Sequence, residues 1–386
     1  MHICFIGEIA RPQVKTGGIG SFVANLIPAL LSQGAQVSVI SYKQQTRAVE
    51  TEEAEGFRIY WINTHQWGPL RWLKRALDTS RVLRQIQQQQ PLDIVESSEA
   101  GLFLLRKPAG VSFVVRLHGG HRFFAASTAD TPFSKKKAWF EQQSLKKADA
   151  IIGVSHYVLQ QTAGFYPFIL QKPHTVIPNP ILLHRFSTPA STQPVPGRLL
   201  FMGALTEKKG VRQLIMAMPV IAARWPTAQL HIYGKDIAMR PSGASFKAVL
   251  QQLVAELNME AHIRIFEPIA NVEVPAVLAD AEVVVLPSHM EAMPVAWLEA
   301  MAMGKAFVGS RTGPGPEVVQ AGETGLLCDP FDPADIADKV LYMLQHPEQA
   351  TQMGARARQL IQQQYGADHL AATNLQYFGQ LQHPHR

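Results

Sequence analysis

Short apolar runs alternate with longer helical patterns along nearly the whole chain, and that alternation constrains the fold more than any other feature. In the first half the runs are 2–6, 36–40, 57–61, 94–96, 112–116, 150–153 and 175–177. They are too short for helices and read as buried strands. After the first comes a glycine loop and then a helical pattern through SFVANLIPALLSQ, with Phe22, Leu26, Ala29 and Leu30 on one face and Gly34 as its stop. The segment TPASTQPVPG, residues 188–197, has three prolines and no apolar periodicity, the signature of a linker. Beyond it the pattern restarts, with strands at 198–202, 229–233, 262–266, 283–286, 306–309 and 325–328. Helices fall near 210–224, 246–257, 335–345, 348–363 and 367–381. Strand–helix alternation predicts parallel sheets covered on both faces, and 386 residues exceed an ordinary single core. The expected architecture is α/β, with domains at 1–187 and 188–365 facing across a cleft, and a last helix in 366–386. In such sheets ligands bind beyond the carboxyl ends of the strands.

The composition is globular, 47% hydrophobic and 17% charged. The two cysteines, Cys4 and Cys328, lie at opposite ends, which is neither a disulfide framework nor a zinc spacing and predicts a reducing, cytoplasmic setting. The opening MHICFIG is not a signal peptide, and no run of 18 apolar residues predicts a membrane span, so the protein is expected to be soluble or peripheral. Charge is uneven. Residues 1–185 hold 21 Lys and Arg against 12 Asp and Glu, a balance of +9, whereas 186–386 hold 15 against 18, a balance of −3. A basic first half predicts either an ordinary basic surface or an acidic neighbour such as a phosphate-bearing substrate or anionic lipid. No nucleic-acid motif accompanies it, so nucleic acid is not expected as a partner.

The polar motifs sit at predicted strand ends. Thr16-Gly17-Gly18-Ile19-Gly20 opens the first helix, where glycines admit a ligand to the backbone and the helix N-terminus favours an anion; the bland reading is a tight turn. Leu117-His118-Gly119-Gly120-His121 follows a strand, placing a histidine that can bond a substrate and change charge near neutral pH. The turn Gly203-Ala204-Leu205-Thr206-Glu207-Lys208-Lys209-Gly210 brings lysine to a helix start, a natural phosphate clamp. Gly313-Pro314-Gly315-Pro316-Glu317 is a further strand-to-helix turn.

The stretch VVVLPSHMEAMPVAWLEAMAMG, 283–304, carries two acids, Glu291 in a loop and Glu299 in a helix that Pro294 opens and Gly304 ends. Glu299 is flanked by Trp297, Leu298 and Ala300, so its carboxylate needs a partner. Eight helical steps would separate the acids by about 12 Å, and placing Glu291 in the loop loosens that spacing without making a close pair. A retaining glycosidase holds its pair roughly 5 Å apart. The wider spacing suits an extended ligand such as a nucleotide sugar, gripped at both ends with its pyrophosphate between.

With these motifs in hand the chain resembles the retaining glycosyltransferases of family 4, which have the GT-B fold of two Rossmann-like domains facing across a cleft. The resemblance runs through Gly17-Gly18, GAQVSVI, His118-Gly119, ADAIIGVS, VIPNP, the Gly203…Lys209-Gly210 turn, LPSHMEAMPVAWLEAMAMGK and GPGPEVV…GETGLL. It implies an acceptor-binding first domain, a donor-binding second domain and a final helix returning toward the first. It implies a nucleoside-diphosphate sugar as donor, a saccharide or lipid-linked acceptor, retention of anomeric configuration, and no metal or other cofactor. By resemblance Glu299 would bind the donor ribose and Glu291 the donor sugar. Lys209 would offset the leaving diphosphate, Gly203 and Gly18 would approach the donor, and His118 would sit beside the transferred sugar. Where the family turn commonly reads Gly-Arg, this chain has Ala204, which places more of the phosphate work on Lys209. Pro294 also replaces a residue able to donate an N–H.

Finally, WGPLRWLKRALDTSRVLRQI, residues 67–86, mixes Trp67, Leu70, Trp72, Leu73, Leu77 and Leu83 with Arg71, Lys74, Arg75, Arg81 and Arg84. Lys135-Lys136-Lys137 lies beside Trp139 and Phe140. A basic amphipathic helix of this kind would lie in an anionic lipid interface, on the acceptor side of the enzyme, or else pack its apolar side on the sheet. Two other functions share the architecture: a nucleotide-sugar epimerase, and a nucleotide-sugar-binding protein with weakened catalysis.

Overall fold

The computed structural model describes residues 1–9, 18–43, 49–63, 71–127, 131–186, 193–239 and 243–382. The first half is β1 His2–Ile6, α1 Gly18–Ser32, β2 Gln36–Lys43, β3 Glu50–Ala54, β4 Phe57–Asn63, α2 Arg71–Gln89, β5 Ile94–Ser97, β6 Ser112–Leu117, α3 His121–Ser127, α4 Lys135–Lys147, β7 Ala150–Gly153, α5 His156–Phe165 and β8 His174–Val176. Its sheet runs β3-β4-β2-β1-β5-β6-β7-β8, parallel except where β3 pairs antiparallel with β4. The sequence reading missed β3. Its ETEEA lacks apolar alternation because it is an exposed edge strand, and the signal available was Glu55-Gly56, a two-residue hairpin turn with Gly56 at φ 89.

The second half is β9 Arg198–Met202, α6 Val211–Arg224, β10 Gln229–Tyr233, α7 Phe246–Glu256, β11 Ile263–Phe266, α8 Val274–Asp280, β12 Val283–Leu286, α9 Val295–Ala302, β13 Ala306–Ser310, α10 Gly315–Val318, β14 Leu326–Cys328, α11 Pro333–Gln345, α12 Pro347–Gln364 and α13 Ala367–Gln382. Its all-parallel sheet is ordered β11-β10-β9-β12-β13-β14. The order reverses between β9 and β12, the switch point at which such sheets open a crevice. β12 is fully buried along Val283–Leu286, as a central parallel strand requires. Of the expected linker, 188–192 lie outside the described residues.

Two polar junctions show how the chain returns to its start. Ile181 N–H donates to Tyr365 O at 2.8 Å and Ala367 N–H to Ile181 O at 3.0 Å, so the chain crosses back at Gly366. α13 then packs along α1, with Leu370, Ala371 and Phe378 in the same apolar core as Phe22, Leu26 and Leu30. Asn374 of α13 meets the fully buried Arg116, whose guanidinium also bonds Glu96 at 2.7 and 3.0 Å.

Candidate active site

The β9–α6 and β12–α9 loops meet at the switch point, and one glycine permits it. Gly210 has φ 69, and a Cβ there would stand 1.9 Å from the Pro287 carbonyl oxygen. His289 N–H also donates to Lys208 O at 2.8 Å, zipping the two loops together. Lys209 and Glu291, 82 residues apart, therefore form a side-chain ion pair, 24% and 12% exposed. Burial pushes the Glu291 carboxyl up, but Lys209, Lys208 and a hydrogen bond from Ser288 outweigh it, so its pKa lies below the ordinary value of 4.5. Lys208 is not merely solvated. Its ammonium lies 4.0 Å from the Phe124 ring of the first half while its charge reaches Glu291. Two lysines therefore supply cations beside Glu291.

Glu299 stands on α9, partly buried, in the helix that begins after Pro294. Pro294 is the residue before the helix rather than its first, with φ −79 and ψ 109, and Val295 opens the helix. Gly203 follows β9, its N–H donating to Tyr233 O at 3.0 Å; a Cβ on Gly234 would lie 2.1 Å from Gly203 O. Gly18 is the exposed first residue of α1, while Thr16 and Gly17 lie outside the described residues.

His118 follows β6, its ring 5.0 Å from Phe22 one turn into α1, so the first-half motifs converge where the second-half loops face them. Here the sequence reading needs correcting. His118 does not change charge near neutral pH, because burial and then the neighbouring Arg116 push its pKa down to about 3. It is a neutral imidazole, able to donate and accept hydrogen bonds. Beneath this loop lie two buried carboxylates. Glu141 accepts from Arg122 N–H at 3.2 Å, and a Cβ on Gly120 would meet its Oε1 at 2.6 Å. Glu99 is held up at about 8 by burial, with Glu141 adding to the effect.

Three polar side chains that sequence reasoning assigned no role join the halves beside the site. Ser155 Oγ donates to Ala292 O at 2.7 Å and Asn179 Nδ2 to Met293 O at 3.1 Å. Glu317 of the GPGPE turn accepts from His156 N–H at 2.7 Å and Tyr157 N–H at 2.6 Å, capping α5 from the other domain. Between the halves opens a cavity of about 590 Å³, lined among others by Gly119, His121, Phe124, Lys137, Lys208 and Phe246.

The predicted acceptor-side residues fall on α2. Its apolar side is not free: Ala76, Val82, Leu83 and Ile86 are buried in the core. The helix body therefore cannot lie in a lipid interface as a whole, because the stripe that would enter lipid already covers the sheet. What stays outside is Trp72, half-buried, with Lys74, Arg75 and Leu77 exposed; Arg75 stacks on Tyr42 at 4.1 Å. Arg71 opens the helix, its side chain outside the described residues, as are Trp67 and Leu70.

Two family models match the chain, Glycosyltransferase Family 4 over residues 16–185 and Glycosyl transferases group 1 over residues 190–360. A D-inositol 3-phosphate glycosyltransferase of Corynebacterium glutamicum is 26% identical over 374 residues, 89% of this chain and 87% of its own. That of Corynebacterium efficiens is 29% identical over 257 residues, so the match spans 62% of this chain and 60% of that relative. Among solved structures, sucrose-phosphate synthase from Thermosynechococcus elongatus has a TM-score of 0.83 at 22% identity, covering 98% of both chains. Anabaena HepE in complex with UDP has a TM-score of 0.72 at 16% identity, covering 98% and 100%. Two parallel-sheet domains with a loop-built crevice between them have the GT-B fold. The chain belongs to glycosyltransferase family 4.

Proposed function

We propose that the protein moves a sugar from a nucleoside-diphosphate sugar to a saccharide acceptor, free or carried on a lipid, with retention and without a metal. The observation that carries this reading is the Lys209–Glu291 pair at the β9/β12 switch point. A paired cation and anion at that crevice match a donor that presents a diphosphate and sugar hydroxyls side by side. On entry, the diphosphate takes Lys209, with Lys208 behind it, and Glu291 turns to the sugar hydroxyls. Fixed cations aimed at the departing diphosphate stabilise charge as it develops. Glu299 takes the ribose hydroxyls, Gly203 and Gly18 line the path of the phosphates, and neutral His118 bonds a hydroxyl of the transferred sugar. With no charge to lose, His118 orients rather than exchanging a proton with solvent, and the leaving phosphate oxygen accepts the acceptor's proton. The acceptor enters through the cavity between the halves. The two buried, unpaired cysteines support a cytoplasmic setting, and the basic surface of the first half supports work at an anionic membrane face.

HepE was solved with UDP, and one relative is described as GDP-mannose-dependent, so the donor screen covers both bases. Thermal shift with UDP-, GDP-, ADP- and TDP-sugars, followed by mass spectrometry of products, tests the reading. Stabilisation by one donor, with sugar appearing on an added acceptor at unchanged anomeric configuration, is the expected result. Conversion of the donor without acceptor would instead mark an epimerase.

A further inference from the structure

On the outer flank of the first sheet, α2, the loop after β5 and α4 bring four aromatic rings into one cluster. Phe103 stacks on Phe140 with centroids 4.3 Å apart, Trp72 lies 5.9 Å from Phe140, and Trp139 lies 5.3 Å from Phe103. This is not closed core. Trp139 is 50% exposed, Leu77 52% and Leu104 42%. Leu104 has φ 58, a left-handed backbone that glycine adopts freely and leucine does not, yet its side chain stays in solvent.

The charges around the cluster have one sign. Lys74, Arg75, Lys135 and Lys136 are exposed, and the Lys136 ammonium lies 5.7 Å from the Phe140 ring. The one acid of α2, Asp78, is bridged by Lys74 at 3.4 Å and Arg81 at 3.2 Å. The one acid of α4, Glu141, is buried beneath the His121–Arg122 turn. Neither helix presents an unpaired acid outward. α4 also reaches the cleft: Lys137 borders the cavity, and Phe140 of the cluster follows it by about 5 Å along the helix axis.

We propose that this cluster, with its ring of lysines, seats the first domain on an anionic lipid bilayer and so holds the mouth of the interdomain cavity at the membrane surface. Indole rings at headgroup level beside cations are the pattern of interfacial binding, and the cationic rim complements anionic lipid. The surface differs from a helix lying in the interface, because the apolar side of α2 is already spent on the sheet. That a lipid-carried acceptor is the reason for docking rests on the glycosyltransferase reading; the docking itself does not.

The test is cosedimentation of the full chain with phosphatidylglycerol–phosphatidylcholine vesicles and with phosphatidylcholine alone, at low and high salt, with no donor or acceptor present. Binding is expected only to the anionic vesicles and at low salt. The double variant Leu104→Gly, Trp139→Ala is expected to keep its melting temperature and its transfer to a soluble acceptor while vesicle affinity falls tenfold or more. Lys135→Glu with Lys136→Glu is expected to do the same. A dye on Lys137→Cys is expected to be quenched by headgroup-labelled vesicles and one on Gln349→Cys not. Absence of binding at low salt, equal binding to neutral vesicles, binding undiminished in both double variants, or equal quenching at the two sites each overturns the proposal. Because no substrate is present, such a failure leaves the transferase reading intact; loss of transfer with binding retained would strike that reading instead.

Discussion

Replacing Lys209 by methionine removes the cation that holds Glu291 in its lowered state while keeping most of the side-chain volume. Two effects follow, and they separate. For the fold, Glu291 is only 12% exposed and loses its bonded partner. Breaking a fully buried pair costs about 3–5 kcal/mol and an exposed one about 0–1 kcal/mol. This pair lies between them, Lys208 remains nearby, and Glu291 can escape by protonating, so about 1–3 kcal/mol is expected. In a domain of this size each kcal/mol lowers Tm by about 2–4 °C. For transfer, losing one fixed group that stabilises developing charge costs about 10²–10³ in kcat, or ~2.7–4 kcal/mol.

The pH dependence discriminates further. In the native protein Glu291 has a folded pKa below 4.5, so the stability of the pair is present above 4.5 and is lost as pH falls through the lowered value. With Lys209 gone, burial is less opposed and the carboxyl moves upward. The methionine variant should therefore lose that acid-limb destabilisation, and where the pKa passes 4.5 acidification becomes stabilising. The assays are thermal melts from about pH 2 to 8, which span the fall through the lowered pKa, and initial rates at saturating donor. A variant that turns over within threefold of the native rate, with its fold intact, would refute the role given to Lys209.

Glu299→Ala should keep the fold and weaken donor binding roughly 10–100-fold, the worth of about 1.5–3 kcal/mol for a hydrogen bond to a charged group; calorimetry with the donor checks it, and unchanged affinity would remove Glu299 from the ribose. Gly210→Ala should destabilise by at least about 1–3 kcal/mol, since its φ of 69 is strained for alanine and its Cβ would strike the Pro287 carbonyl. It should also lower turnover by drawing Lys209 away from Glu291, which melts and rates together will show. With His118 neutral down to about 3, kcat should show no histidine limb between pH 5 and 8; a limb near 6.5 that vanishes in His118→Gln would contradict the geometry.

Much of this protein was legible before any coordinates. Apolar runs too short for helices, each followed by a helical pattern, determine two parallel-sheet domains because only burial on both faces satisfies them. The motif order carried the family. Strand positions survived nearly unchanged, since the runs are bounded by glycine, proline and polar turns. Other decisions were tertiary. Edge strand β3 was invisible because an exposed strand needs no apolar alternation. The apolar stripe of α2 was legible as a stripe, but whether it faces lipid or sheet depends on what packs against it. The charge of His118 was misread because a pKa answers to burial and to Arg116, neither of which spacing along the chain reveals. Ser155, Asn179 and Glu317 acquire their role only from the opposite domain. Glu291 and Lys209 were each singled out from their own loop, and their union depends on the switch between β9 and β12 and on the absent Cβ of Gly210. Local pattern determined which elements form, because their burial is periodic along the chain; only the packed structure decided which residues meet, because those contacts join loops 82 residues apart.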